Sequence, residues 1–148
     1  MKTYKTTTPQ FSITKNKSDF PKAKITSSKD AEQFIRQFYH DDIGIYESFF
    51  ILLLNRGNIT TGYAKISQGG TAGTVVDIKI IAKYIADTLA HGIILAHNHP
   101  SGNTNPSQAD YTITKNIQKA AQLFDCTLLD HVILTEETYF SFADNSKL

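Results

Sequence analysis

The chain has 148 residues, 41% of them hydrophobic and 20% charged, the balance of a soluble globular protein long enough to bury a sizeable core in one unit. Its longest strongly apolar stretch, Phe49 to Leu54, is far too short to cross a bilayer, and the N-terminal Met-Lys-Thr-Tyr-Lys-Thr-Thr-Thr lacks the apolar core of a signal peptide, so a cytoplasmic location without membrane contact is expected. The net charge of +1 conceals +6 over residues 1–29 and −5 over the remainder, which excludes a uniformly basic nucleic-acid-binding body and leaves nucleic-acid contact only to the N-terminal arm.

That arm, residues 1–26, is rich in Thr, Lys and Ser without helical period and is expected to be extended or disordered, with room for one edge strand around Phe11 to Thr14. Ser27 and Asp30 have the spacing of a capping box, and Phe34, Ile35, Phe38 and Tyr39 then share one face of a helix ending near His40. From Ile43 to Leu54 the chain is too continuously apolar for a strand exposed on one side, so a central strand covered on both faces is predicted. Asn55-Arg56-Gly57-Asn58 marks a turn, and Ile59 to Ser67 reads as the return strand of a hairpin.

The loop Gln68 to Thr74 holds three glycines but lacks both the Gly-x-Gly-x-x-Gly order and a Gly-Lys-Ser/Thr ending, which argues against a nucleotide site. Asp77 is a candidate N-cap for a helix with the stripe Ile78, Ile81, Ala82, Ile85, Leu89, stopped at Gly92. Ile93 to Ala96 is a buried strand that delivers His97. A second long helix starts near Ser107 and buries Ile113, Ile117, Ala120, Ala121 and Phe124, followed by strands at Thr127 to Thr135 and Tyr139 to Phe142. His40 and His91 fall at helix ends, where a structural role is the default. The lone Cys126 excludes an intrachain disulfide and a thiolate-rich zinc site and is read as core. This order implies an α/β protein, residues 27–148 forming a single mixed β-sheet flanked by helices in three α-β-α layers.

Chemistry concentrates between Ile93 and Ile113. Residues i and i+2 of an extended segment point the same way, so His97 and His99 can face one metal ion while Asn98 points elsewhere. Asp110 adds a hard oxygen donor, and three N/O ligands with one open position define a catalytic rather than a structural zinc site. The residues alone support a second reading equally well: Ser107 and Asp110 form a Ser-x-x-Asp capping pattern, and the two histidines are polar loop residues. Both hold together if Ser107 caps the helix and Asp110, in its first turn, reaches back to the histidines. A hydrolase also needs a base, for which Glu47 at the mouth of the apolar strand is a candidate, although a carboxylate there is more commonly an exposed strand end.

The pattern His97-x-His99, seven residues, Ser107-x-x-Asp110, with Glu47 upstream, resembles the JAMM motif of the JAB/MPN metalloprotease superfamily. His-Asn-His-Pro-Ser-Gly at 97–102, Pro106-Ser107, Asp110 and Leu128-Leu129-Asp130-His131 resemble the RadC family in particular, over the span from about Ser27 to the C-terminus. The resemblance implies zinc (Zn2+) held by His97, His99 and Asp110, a water activated by Glu47, Ser107 helping to hold a tetrahedral oxyanion, and a peptide or protein substrate cut at a peptide or isopeptide bond. It implies no metal role for His131, read as a neutral histidine hydrogen-bonded within the sheet. Full-length RadC proteins resemble a helix-hairpin-helix module joined to this domain; such hairpins need glycine turns, and the first glycine here is Gly44, so that module is expected to be absent and the family's link to DNA repair to transfer weakly. The competing readings are a nucleic-acid-associated accessory protein and a non-catalytic interaction domain. A nucleoside deaminase is disfavoured because neither His-x-Glu nor Pro-Cys-x-x-Cys occurs.

Overall fold

The computed structural model describes residues 8–10, 12, 14–71 and 73–148. Among these residues lie three helices, α1 (Ser28–Arg36), α2 (Ile78–Thr88) and α3 (Gln108–Gln122), and five strands, β1 (Ser48–Leu54), β2 (Thr60–Gln68), β3 (Gly92–Asn98), β4 (Thr127–Leu134) and β5 (Tyr139–Ser141), in the chain order α1-β1-β2-α2-β3-α3-β4-β5. The strands form one sheet in the order β2-β1-β3-β4-β5. Only the β3–β4 pair is parallel, with α3 as its crossover; the other pairs are antiparallel.

The sheet is buried on both faces, which is why β1 and β3 are apolar without alternation. One face packs Phe50, Leu52, Leu54, Ile94, Ala96, Val132 and Leu134 under Ala31, Phe34, Ile35 and Phe38. The other packs Phe49, Ile51, Leu53, Ile93 and Leu95 under Ile81 and Ile85 of α2 and Ile117 and Ala121 of α3. The architecture is therefore the mixed, three-layer α/β arrangement expected, with Cys126 buried in the second core. Among the described residues no helix is long and apolar enough to cross a membrane.

Several boundaries differ from the sequence-based expectation. The strand predicted from Ile43 starts at Ser48, and residues 41–46 form turns. Burial decides this: Ile45 and Tyr46 stay exposed, whereas every residue of β1 is buried. Helix α2 is closed by Leu89, not Gly92. Leu89 adopts a left-handed φ of 53° and is 79% exposed, outside the apolar stripe assigned to it, and Gly92 opens β3, where a Cβ would meet the Leu129 side chain at 2.9 Å. Phe124 also lies outside the core, 46% exposed beyond the end of α3. Strand β3 continues through His97 to Asn98 and does not stop at Ala96. The arm is docked from Phe20 onward: Phe20 packs on Phe34, Phe38 and Tyr63, Lys24 bridges to Ile59, and Ile25 N–H donates to the Asn58 carbonyl. The edge strand considered around Phe11 to Thr14 falls largely outside the described residues, as does the start of the basic arm.

Candidate metal centre

Strand β3 carries His97 to the face covered by α2 and α3, in antiparallel register with Phe49 and parallel register with Ile133. His97 is 1% exposed and stacks on the Phe49 ring at 5.8 Å. His99 lies just past the strand end, its N–H still donating to the Leu134 carbonyl. The pleat brings both rings to one side: His97 Nε2 and His99 Nε2 are 3.0 Å apart. Asn98 points to the opposite face, as the alternation requires.

Ser107 caps α3 by accepting from the Asp110 N–H at 3.1 Å, and Asp110 Oδ2 accepts in return from Ser107 N–H at 2.7 Å and Oγ–H at 2.8 Å. The capping box therefore aims the Asp110 carboxylate. With Oδ2 held, Oδ1 faces His97 Nε2 at 3.2 Å, and Oδ2 lies 3.6 Å from His99 Nε2. The capping reading of Ser107 and Asp110 holds, and the same geometry turns the Asp110 carboxylate toward the two histidines. At Ser27 the reciprocal half of the box is displaced by one residue, because Asp30 accepts from Thr26 N–H and hydroxyl instead of from Ser27.

Hydrogen bonding settles which ring nitrogens carry protons. Thr114 Oγ1 donates to the Asp110 carbonyl at 2.5 Å, so it must accept from His131 Nδ1–H at 2.6 Å. His131 Nε2 is then a lone pair and accepts from His97 Nδ1–H at 2.8 Å, leaving His97 Nε2 as a lone pair. His99 Nδ1 faces the Asn103 carbonyl at 2.6 Å, so it too donates there and presents Nε2. Two nitrogen lone pairs and a carboxylate oxygen thus converge on one point, an arrangement that requires a proton or a cation between them. A tetrahedral centre with arms of roughly 2.0–2.1 Å spaces its donors by roughly 3.3–3.4 Å, close to the 3.0 and 3.2 Å found. The donor set fits zinc, and among the described residues it comprises these three side chains and no fourth.

His131, which sequence reasoning set apart from the metal, proves to be the partner that orients His97. It is fully buried, and burial together with the charge of His97 holds its pKa well below the ordinary histidine value, in keeping with the neutral tautomer. Strict alternation from Leu128 would point Asp130, not His131, toward the site. A register shift at Ile93/Ile94, with Leu129 as the extra residue, reverses the pleat. Asp130 is turned instead to Ser141 Oγ and to the His131 and Ala143 N–H groups.

Glu47 precedes β1. Its N–H donates to the Gly70 carbonyl and its own carbonyl accepts from Gly69 N–H, so the glycine loop holds it like an extra ladder rung. Its carboxylate lies beside the Thr74 backbone. It lines a cavity of about 550 Å³ with His99, Ser107 and Asp110, and an adjoining apolar recess of about 130 Å³ with His97, Asp110, Phe49, Val76 and Ile113. Partial burial raises its pKa above the ordinary carboxylate value, opposed by the nearby charges of His97 and His99. For Asp110, burial acts upward, but the adjoining His97 and His99 side chains, which favour the ionised carboxylate, prevail and hold it far below the carboxylate range. The same contact raises His99, chiefly through its hydrogen bond to Asp110. The structure thus brings Glu47, His97, His99, Ser107 and Asp110 to one cleft, while His40 and His91 stay exposed elsewhere.

A five-stranded mixed sheet with a His-x-His strand end, a Ser-capped helix bearing Asp110 and a carboxylate across the cleft describes a JAB-type domain, and comparison with known proteins agrees. The model of the RadC-like JAB domain matches residues 25–147. Similar proteins include a UPF0758 protein of Flavobacterium johnsoniae, 46% identical over 125 residues that cover 82% of this chain and 52% of the relative. Others are a UPF0758 protein of Porphyromonas gingivalis, 40% identical over 84% of this chain and 54% of the relative, and one of Coprothermobacter proteolyticus, 37% identical over 82% and 52%. The chain belongs to the RadC-like JAB family, and it spans about half the length of these relatives.

Proposed function

We propose that the chain is a zinc-dependent hydrolase of peptide or isopeptide bonds, acting in the cytoplasm on a peptide or protein partner, with His97, His99 and Asp110 as metal ligands. The observation that carries this reading is the convergence of three unprotonated acceptor atoms beside a cavity that Glu47 also faces. Bound there, zinc would supply a Lewis acid for the scissile carbonyl and lower the pKa of a water to about 7. Glu47, half-shielded from solvent and raised in pKa, is placed to take the proton of the attacking water and pass it to the leaving amine. Ser107 N–H keeps hold of Asp110 Oδ2 at 2.7 Å, so the Ser107 hydroxyl is free to turn from that oxygen to a developing oxyanion.

The described residues lining both cavities include no lysine or arginine, which favours a neutral amide over a phosphodiester, whose charge would meet no cationic side chain. Nucleic-acid contact is left to the basic arm. A panel of peptide and isopeptide substrates tests the proposal. The wild type is expected to cleave at least one, and Glu47→Gln to do so about 10²- to 10⁴-fold more slowly; equal rates would remove Glu47 as the base.

A further inference from the structure

Asn98 is 0% exposed and lies between the two histidines in sequence, yet its side chain takes no part in their cluster. On the opposite face of the sheet it makes three hydrogen bonds, all to the backbone of the segment that carries Glu47. Oδ1 accepts from Ser48 N–H at 2.8 Å, and Nδ2 donates to the Tyr46 carbonyl at 2.8 Å and the Ile43 carbonyl at 2.6 Å. The Tyr46 carbonyl and the Ser48 N–H belong to the two peptide bonds that flank Glu47. The β1–β3 ladder itself ends one residue earlier, at Phe49 and His97, so at this level the side chain does the pairing that backbone would otherwise do.

We infer that Asn98 is a positioning residue, which sets Glu47 at a fixed distance from His97 and His99 by gripping the peptide bonds on both sides of it. The inference rests on the reading of Glu47 as the base. The residue type follows from the partners: two carbonyls and one N–H need two donors and one acceptor at fixed spacing, which an amide supplies. Aspartate would set a second oxygen against the Ile43 and Tyr46 carbonyls, whose repulsion drives the side chain off Ser48 N–H as well, and glutamine would reach too far by one methylene. The remaining bonds of this segment come from elsewhere, Tyr39 O–H to the Ser48 carbonyl at 3.1 Å and Gly69 and Gly70 to Glu47, so the segment has anchors that survive loss of Asn98. The Tyr46 and Ile43 carbonyls, by contrast, have no other partner among these contacts.

The test compares wild type with Asn98→Asp in three measurements on the full chain: amide hydrogen exchange, zinc titration, and paramagnetic broadening of labelled Glu47 side-chain carbons by Co²⁺. Expected for Asn98→Asp are exchange at Ser48 faster by roughly 10- to 100-fold with amides 93–97 unchanged, zinc affinity within about threefold of wild type, and loss of the Glu47 broadening seen in wild type. Exchange that accelerates equally at 48 and 93–97 would make Asn98 a general staple of the fold and overturn the inference. So would unchanged broadening of Glu47. If wild type takes up neither Zn²⁺ nor Co²⁺, the metal reading fails, and local exchange at residues 44–48 still decides whether Asn98 positions that segment. Asn98→Ser, which removes the two donors without adding charge, carries the same comparison should Asn98→Asp fail to fold.

Discussion

His131 donates to Thr114 and accepts from His97, so its contribution lies in the proton it keeps off His97 Nε2. His131→Phe keeps an aromatic ring against Phe142, on which His131 stacks at 4.8 Å, but offers His97 no acceptor. Zinc affinity is expected to fall about 10- to 100-fold with the fold retained, measured by competition titration alongside circular dichroism; an unchanged affinity would remove His131 from the site's support. The proton balance at His99 gives a second expectation. Without metal, the hydrogen bond to Asp110 raises the His99 pKa above its ordinary 6.5, so the protonated form persists to higher pH than in a free histidine. Metal must displace that proton, and affinity therefore weakens as pH falls through the raised pKa, by about tenfold per unit below it. Zinc titrations from pH 8 down to 5.5 would show this slope; a flat profile would mean His99 does not bind the metal through Nε2.

Element by element, the sequence was most readable where one local rule decides the outcome. Ser27, Asp77 and Ser107 all cap helices as their spacing indicates, and the unbroken apolar run of β1 reflects burial on both faces. It was least readable where a tertiary contact overrides period. Alternation cannot show the extra residue Leu129 that turns His131 toward the site, nor the Asn98 side chain that bonds to the backbone on both sides of Glu47. Gly92 resembled a helix stop, yet the left-handed position belongs to Leu89, a residue type that pays steric strain there. Leu89→Gly is accordingly expected to stabilise the protein by about 0.5–1 kcal/mol, read as a rise in thermal midpoint; a fall would show that exposed Leu89 makes a contact outweighing its strain. The motif residues were legible as chemistry, but only the family resemblance singled out Glu47 from other strand-end carboxylates.

For the whole molecule, the site exists because the sheet joins distant parts of the chain. The β1–β3 register sets Phe49 beside His97 and so brings Glu47, some fifty residues upstream, to the histidines. The parallel β3–β4 pair places α3 as a crossover, and its N-terminus delivers Ser107 and Asp110 to the end of β3. His97 thus stands on a strand, His99 directly after it and Asp110 in the first turn of a helix, while Gly69 and Gly70 tie down the backbone of Glu47. The most direct test of this account is the metal content of protein prepared without chelator, for wild type, His97→Ala and Asp110→Ala. The account predicts about one zinc per wild-type chain and near zero in both variants; near-zero metal in the wild type, or equal content in all three, would contradict it.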